Sequence, residues 1–198
     1  MSEVKNTKSQ IIDVSLKLFS EKSYHGSSIR DIAKEVGIRE SAIYNHFKSK
    51  NEILSEIINL FASRNIGTLI LTDELINILS KPQIFFIMLS NNIVNFWNSD
   101  KERMFIKLLM NLNSITSNEI NYTLENYLED FRKLCSFIFD EMIHYKFLKN
   151  IEVRTLSKEF ISPLFLVQIN ILNKPETFND YKKFLKKHSD FIWEAVKL

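Results

Sequence analysis

The sequence is poor in glycine, proline and cysteine, and each shortage excludes something. Three glycines and three prolines in 198 residues leave little room for tight turns or for a glycine-rich loop that cradles a phosphate. The single cysteine, Cys135, rules out an intrachain disulfide and suits a reducing compartment. These shortages favour an almost entirely helical, cytoplasmic protein.

Long hydrophobic runs are also absent. No stretch reaches the roughly 18 apolar residues of a membrane span, so we expect no membrane association. A hydrophobic content of 45% and a net charge of +2 are typical of an ordered globular chain. Positions 1–50 carry an excess of three positive charges, whereas positions 51–198 carry a net charge of −1. A basic N-terminal end suits phosphate binding, although a solvated helix face would also explain it.

The residues that usually carry catalysis show no useful pattern. His25, His46, His144 and His188 are scattered without the spacing of metal ligands, and Cys135 has no evident partner. The sequence therefore predicts no catalytic residue, no metal site and no cofactor, and an enzyme is not expected.

Positions 27–50 have the pattern of two short helices joined by a tight turn. Ser28 and Asp31 can cap the first helix, and Gly37 can end it in the left-handed conformation. The apolar residues between them lie on one helical face, at Ile29, Ile32, Ala33 and Val36. A second helix, over about 39–46, turns Ala42, Ile43 and Phe47 inward. This arrangement is a helix-turn-helix, whose second helix enters the major groove of DNA.

Further capping patterns place the neighbouring helices. Thr7 and Gln10 predict a first helix over about 8–22, which closes the small core of the helix-turn-helix. Ser49 and Glu52 predict the start of a fourth helix. Gly67 marks its expected end, before a single short helix that begins near position 72.

The runs IRDIAKEVG (29–37) and AIYNHFKSK (42–50) resemble the DNA-binding domain of TetR-family transcriptional regulators. The preceding residues 11–26 are similar to that family's first helix and the loop after it. The resemblance extends over about residues 8–54. It implies an all-α fold of about nine or ten helices, with a helix-turn-helix DNA-binding domain at 1–50 and a helical regulatory and dimerisation domain at 51–198.

The resemblance also implies particular DNA contacts. Tyr44, His46 and Lys50 match family positions that meet backbone phosphates and so set affinity. Tyr44 is alternatively a core aromatic with an exposed tip. Ser27 and Ser28 can donate to a phosphate at a helix N-terminus, or can serve as capping residues alone.

The second helix departs from the family pattern at its start. The family usually has a Ser or Thr cap where this chain has Arg39, and Glu40 and Ser41 follow it. Arg39 gains a long cation that reaches a phosphate or a guanine, whereas Glu40 accepts from cytosine or repels wrong sequences. Sequence preference is therefore expected to depend on Arg39, Glu40, Ser41, Ala42 and Asn45.

Beyond position 70 only helical patterns remain. Helices are expected near 81–97, which is very apolar, and near 99–112, 116–147, 153–173 and 181–195, and Pro163 is expected to kink one of them. The resemblance implies a pocket for a small hydrophobic or aromatic effector, lined by Phe61, Phe86, Trp97, Met104, Phe105 and Phe131. Ordinary core packing is the alternative for each of them.

The last two helices have more apolar residues than one inward face requires. This surplus predicts a two-fold four-helix dimer interface, in agreement with the family, while packing within the domain is the alternative. The interface residues are expected to be Phe165, Ile169, Leu172, Tyr181, Phe184, Leu185, His188, Phe191, Ile192 and Ala195.

These observations favour a homodimeric regulator that binds a palindromic double-stranded DNA operator, most simply a repressor released by its effector. A regulator of the same fold that activates transcription, or needs no ligand, remains the alternative. A purely structural helical dimer would leave the run at 44–50 unexplained.

Overall fold

The computed structural model describes residues 6–112, 122–174 and 181–198, and every regular element in them is a helix. The predicted all-α fold is confirmed. Eleven helices occur in these residues, more than the nine or ten expected, because two short helices rather than one follow the fourth. They are α1 (Thr7–Lys22), α2 (Ile29–Val36), α3 (Glu40–Tyr44), α4 (Lys50–Ala62), α5 (Ile66–Ile70), α6 (Asp73–Ile76), α7 (Pro82–Trp97), α8 (Asp100–Leu112), α9 (Leu124–His144), α10 (Val153–Asn173) and α11 (Tyr181–Val196).

The chain groups into two compact units. Of the described residues, the first unit comprises 6–64, 103–112 and 122–124, and the second comprises 65–102, 125–174 and 181–198. This grouping reflects packing alone. The division into a DNA-binding part at 1–50 and a regulatory part at 51–198 concerns function and stays a prediction.

The local signals around α2 have the expected structural effect. The Ser28 hydroxyl accepts from the Asp31 amide at 3.1 Å, and the Asp31 carboxylate accepts from the Ser28 amide at 2.9 Å, which completes a capping box. Gly37 ends the helix with φ +81°, in the left-handed region. Its amide donates to the carbonyl oxygens of Ala33 and Lys34, so the last turn of α2 keeps its hydrogen bonds.

Three expected boundaries were wrong by a few residues. The cap of α1 is Asn6 rather than Thr7, because the Asn6 side chain accepts from the Lys8 amide at 3.1 Å. Helix α3 is shorter than expected, and α4 ends at Ala62, before Gly67. Gly67 lies within α5. The N-cap of α5 is Asn65, whose side chain accepts from the Thr68 amide.

Helix α4 begins where its capping pattern predicts. The Ser49 hydroxyl accepts from the Glu52 amide at 3.1 Å, while the Glu52 carboxylate reaches back to the Lys48 amide. In the first unit α1 packs against both α2 and α4, and α2 packs against α3. The buried side chains that join them include Ile11, Phe19, Ile32, Ile43, Phe47, Ile53 and Ile57.

A cluster of aromatic side chains lies within the core of the second unit. Phe86 contacts Phe139 and Phe160 with ring centroids 5.3 and 5.7 Å apart. Trp97 contacts Phe131 and Phe165 edge-on at 5.0 and 5.5 Å. Such tilted and edge-to-face pairs add to the stabilisation that burial of the rings provides. Helix α7 supplies the centre of this core and packs against α5, α6, α10 and α11.

Buried polar side chains connect the helices of this second core. The hydroxyls of Ser90 on α7 and Ser189 on α11 lie 2.9 Å apart, and Ser189 also donates to the Phe86 carbonyl oxygen. The Gln168 amide donates to the Trp97 carbonyl oxygen at 3.0 Å. Small hydroxyl-bearing residues let α7 and α11 approach closely without leaving these polar groups unpaired.

The remaining expectations concern the long helices. Residues 116–119, expected to cap a helix reaching about 147, lie outside the described residues, and α9 is observed from Leu124 to His144. Pro163 lies inside α10, and Cys135 is fully buried in α9, where burial raises the pKa of its thiol. Among the described helices, none combines the length and the apolar character needed to cross a membrane.

The conformation of Gly37 gives a first testable prediction. Gly37→Ala is expected to lower the free energy of unfolding by about 1–2 kcal/mol, because a Cβ strains the left-handed backbone although no atom lies within 4 Å of it. Gly37→Asn should cost less, because asparagine tolerates this conformation better. Urea unfolding followed by circular dichroism measures both variants, and equal stability of Gly37→Ala and the wild type would contradict the prediction.

Candidate functional site

One face of α3 and of the turn after it is exposed, and its polar side chains have no partner among the described residues. Arg39, Glu40, Ser41, Tyr44, Asn45 and His46 are all exposed, whereas Ala42 is half-buried. Their side chains make no hydrogen bond or ion pair with the residues that the structure describes. Glu40 and Tyr44 are four residues apart, as are Ser41 and Asn45, so these pairs project in neighbouring directions. The face therefore offers cationic, anionic, amide and hydroxyl groups to an external partner.

Two apolar anchors hold this short helix. Ile43 is fully buried and Phe47 almost so, and the Ile43 carbonyl oxygen accepts from the His46 and Phe47 amides at 2.9 and 3.0 Å, which continues the hydrogen bonding around the turn. The Lys8 ammonium lies 5.4 Å from the centroid of the Phe47 ring and pairs with Glu56 of α4 at 2.7 Å. Arg39 occupies the N-cap position but makes no side-chain cap, which leaves its guanidinium free to extend outward.

The two serines before α2 have different roles. Ser27 is only 3% exposed, and its hydroxyl lies within hydrogen-bond distance of the carbonyl oxygens of Leu18 and Ser23, at 3.2 and 3.0 Å. A phosphate has little access to that hydroxyl. Ser28 is exposed, and its hydrogen bonds lower the pKa of the Asp31 carboxyl, the side-chain bond having the larger effect. Ser28 is therefore the cap of α2 and lies at the protein surface.

Lys50 joins α4 to the loop before α2. Its ammonium donates to the carbonyl oxygens of Tyr24 and Ser27, both at 2.8 Å, and lies 4.2 Å from the Tyr24 ring centroid. The Tyr24 ring in turn packs edge-on against the buried Phe19. Burial lowers the pKa of Lys50, but two carbonyl oxygens and an aromatic face compensate its charge. The ammonium thus fixes the loop that carries Ser28.

Two further cations belong to the same unit but were not selected from the sequence. Arg30 on α2 and Lys48 before α4 are exposed, and neither side chain has a partner among the described residues. Lys48 separates the anchor Phe47 from the cap Ser49. The lack of an ion-pair partner could have been inferred for Arg30, which has no carboxylate three or four residues away, but not for Lys48, because Glu52 follows it by four residues.

The six residues expected to line an effector pocket are distributed between the two units. Phe61 and Phe105 stack in the first unit with centroids 4.0 Å apart, where Met104 is half-buried. Phe86, Trp97 and Phe131 are fully buried in the aromatic core of the second unit. All but Met104 are buried among other apolar side chains, as in ordinary core.

A cavity of about 250 Å³ lies in the second unit and is lined by none of those six residues. Its lining side chains come from the segment around α6, from Phe85 of α7 and from the C-terminal end of α9. Except for the Glu141 carboxylate and the Tyr145 hydroxyl they are apolar. The sequence signal for this site is Phe137, a large aromatic that falls off the buried stripe of α9 and is 66% exposed.

The residues expected at a dimer interface divide into two groups. Phe165, Leu172, Leu185 and Ile192 are buried within the protomer and leave almost no surface for a partner. Ile169, Tyr181 and His188 are half-buried, and the His188 Nε2 atom lies 3.0 Å from the Phe160 carbonyl oxygen. Burial lowers the pKa of His188. Phe184, Phe191 and Ala195 are exposed on α11, and the exposed Leu166 on α10 was not selected from the sequence.

Comparison with known proteins identifies the N-terminal region. Residues 11–57 match the family model described as bacterial regulatory proteins, tetR family. Over 67 residues the chain is 45% identical to the HTH-type transcriptional regulator AcrR of Shigella flexneri, covering 34% of this chain and 31% of that protein. Over 49 residues it is 47% identical to IcaR of Staphylococcus aureus, the negative transcriptional regulator of the biofilm operon icaADBC, covering 25% and 26%. The matches span less than a third of these relatives.

Solved structures extend the similarity of fold to almost the whole chain. The fatty acid degradation regulator FadR of Bacillus halodurans superimposes with a TM-score of 0.68 at 19% identity, covering 96% of each chain. The ketosteroid transcriptional regulator KstR2 of Mycobacterium tuberculosis gives 0.66 at 14% identity, covering 99% of this chain and 97% of that one. At such identities the likeness concerns the fold. The matched family and these relatives are regulators rather than enzymes, in agreement with the sequence analysis.

The geometry of Lys50 gives a second testable prediction. Lys50→Met removes two charge-assisted hydrogen bonds and should reduce the protection of α1 and α2 amides against hydrogen exchange by about 1–3 kcal/mol. Lys48→Met is the matched control, because it removes an exposed ammonium with no partner among the described residues and should change protection by less than about 0.5 kcal/mol. Equal protection in the two variants would contradict the structural role of Lys50.

Proposed function

We propose that this chain, which belongs to the TetR family of bacterial regulatory proteins, regulates transcription by binding a palindromic DNA operator as a homodimer. The observation that carries this proposal is the exposed, uncommitted face of α3, held by the buried Ile43 and Phe47. A helix so anchored can enter the major groove without disturbing its own core.

The side chains of this face have separate roles in the proposal. Tyr44, His46 and Lys48 are placed to meet backbone phosphates, which fix the register of the protein on the duplex. Arg39, Glu40, Ser41 and Asn45 read base edges, with Ala42 able to contact a thymine methyl group. Ser28 contributes at the N-terminus of α2. Ser27 acts only within the fold, and Lys50 acts first through the loop that it holds.

The dimer is supported by the exposed apolar side chains of the last two helices. Phe184 and Phe191 are seven residues apart, and Ala195 follows four residues later, so they share one face of α11. Phe191 is 70% exposed, and Leu166 on α10 is 63% exposed. Large exposed aromatics at heptad spacing are typical of a helical seam awaiting its partner. A two-fold dimer would present two α3 helices about 34–36 Å apart, one turn of DNA.

The proposed control by an effector relies on the connection between α4 and the loop before α2. Lys50, the first residue of α4, hydrogen-bonds the loop before α2, so the first turn of α4 and the helix-turn-helix move together. We expect a small hydrophobic effector to favour an α4 position in which the two α3 helices no longer match successive grooves. The required coupling free energy is about 1–3 kcal/mol. The similarity to IcaR, which is a negative transcriptional regulator, supports repression as the sign of control.

A hydroxyl-specific substitution tests the DNA contact. Tyr44→Phe should weaken binding to the operator upstream of the protein's own gene by about tenfold, because one hydrogen bond to a charged phosphate is lost. The fold should be unaffected, since Tyr44 is half exposed and makes no internal hydrogen bond to the described residues. Electrophoretic mobility shift across a salt titration measures the effect, with Tyr145→Phe in the second unit as the control. Salt-independent binding, or no saturable site in that DNA, would contradict the proposal.

The exposed face of α11 gives a separate prediction about assembly. Phe191→Arg should convert the protein from dimer to monomer and abolish cooperative operator binding, because a charge would be buried in an apolar interface. Phe137→Arg introduces the same charge at an equally exposed phenylalanine of the second unit and should leave the dimer intact. Sedimentation equilibrium measures both masses. A dimeric Phe191→Arg variant would place the interface elsewhere.

A further inference from the structure

The cavity of the second unit is small and has an apolar interior. Its volume of about 250 Å³ is slightly below the ~300 Å³ at which pockets for drug-sized ligands begin, which indicates a compact ligand. Phe85 and Met142 line it and are buried, whereas Phe137 and Tyr145 line it and are exposed. The cavity is therefore lined by both buried and exposed side chains, and the exposed ones include the Phe137 and Tyr145 rings.

The charge at this cavity has one sign. Among the described residues that line the cavity, Glu141 alone is charged. That lining includes no lysine, arginine or histidine. Glu141 is exposed, and its carboxylate makes no hydrogen bond or ion pair with the part of the chain that the structure describes. An uncompensated carboxylate beside an apolar cavity attracts a cation and repels an anion.

Glu141 and the aromatic residues Phe137 and Tyr145 line the same cavity. Phe137, Glu141 and Tyr145 follow one another at intervals of four residues, and the Tyr145 amide continues the helical turn by donating to the Glu141 carbonyl oxygen at 3.0 Å. Phe147 adds a third ring, stacked on Tyr145 with centroids 6.3 Å apart. Aromatic faces with an adjacent carboxylate are the surroundings that favour an organic ammonium ion.

We infer that this cavity binds a small organic monocation whose apolar body enters the cavity and whose ammonium group stays at the opening, beside Glu141. The apolar lining favours the body, and the carboxylate with its flanking rings favours the charge. A carboxylic acid of the same size would bring two negative charges together. This inference deepens the effector response proposed above and rests on it for its regulatory consequence, although the binding itself is measured without DNA.

Three compounds with one apolar body and different charges test the inference. They are 4-phenylbutylammonium, 4-phenylbutan-1-ol and 5-phenylpentanoate, which present +1, 0 and −1 at the end of the same phenyl-tetramethylene group. The reporter is the methyl resonance of Met142 in protein labelled with ¹³C at its methionine methyls, because Met142 lines the cavity. That resonance is assigned by its loss in Met142→Leu. We expect the ammonium compound to shift it at the lowest concentration and the carboxylate at the highest.

Two isosteric variants localise the charge effect. Glu141→Gln should weaken binding of the ammonium compound by about two- to fivefold, as for an exposed ion pair, and leave the alcohol unchanged. Asp140→Asn is the matched control, because Asp140 is an exposed carboxylate on the same helix that does not line the cavity. It should leave the affinity of all three compounds within about 1.5-fold.

Several outcomes would overturn the inference. Equal affinity for the alcohol and the ammonium compound, preference for the carboxylate, or an unmoved Met142 resonance would each do so. An equal loss in Asp140→Asn and Glu141→Gln would show general attraction rather than a site. Binding of the ammonium compound without release of operator DNA would instead refute its role as effector, while release of DNA by a different compound that leaves Met142 unmoved would refute the cavity inference alone.

Discussion

The helix-turn-helix and the helices around it depend on the contact of the Lys50 ammonium with two backbone carbonyl oxygens. Tyr24 and Ser27 lie in the loop between α1 and α2, whereas Lys50 begins α4, so one side chain ties together segments that are distant in sequence. The Tyr24 carbonyl oxygen also accepts from the Ser27 amide at 3.4 Å, and burial of the Lys50 ammonium would be costly without the two carbonyl oxygens. The Lys50 ammonium and the two carbonyl oxygens thus stabilise one another. Together they fix the position of the cap Ser28, and hence of α2 and α3.

The N-terminal unit could be predicted from sequence because its determinants are local. Ser28, Asp31 and Gly37 act within one helix, and their capping and left-handed conformations were observed as expected. The cap of α1 was misplaced because Asn6 and Thr7 are both good capping residues and the sequence does not rank them. Lys50 was understood only as a phosphate contact. Its carbonyl partners depend on how the loop folds back, which no local pattern encodes.

The second unit was less predictable because exposure there depends on tertiary packing. Apolar periodicity located α10 and α11, yet it could not separate Ile192, which packs inward, from Phe191, which faces outward. The expected pocket residues were chosen for size, and size equally favours a well-filled core, where Trp97 and Phe131 are found. The cavity at the end of α9 is lined by side chains from the segment around α6, from α7, and from α9 and the turn after it. Such a gap is a property of backbone geometry rather than of any single residue.

The anchoring of α3 has a consequence for how this protein can change. The buried Ile43 and Phe47 tie the helix and its following turn to the core, while the side chains of Arg39, Glu40 and Ser41 are exposed and make no hydrogen bond or ion pair with the described residues. Substitutions at those three positions should therefore cost little stability. Under the DNA contacts proposed above, the determinants of folding and of target choice are then separable, and a library randomised at these positions should consist mostly of folded proteins.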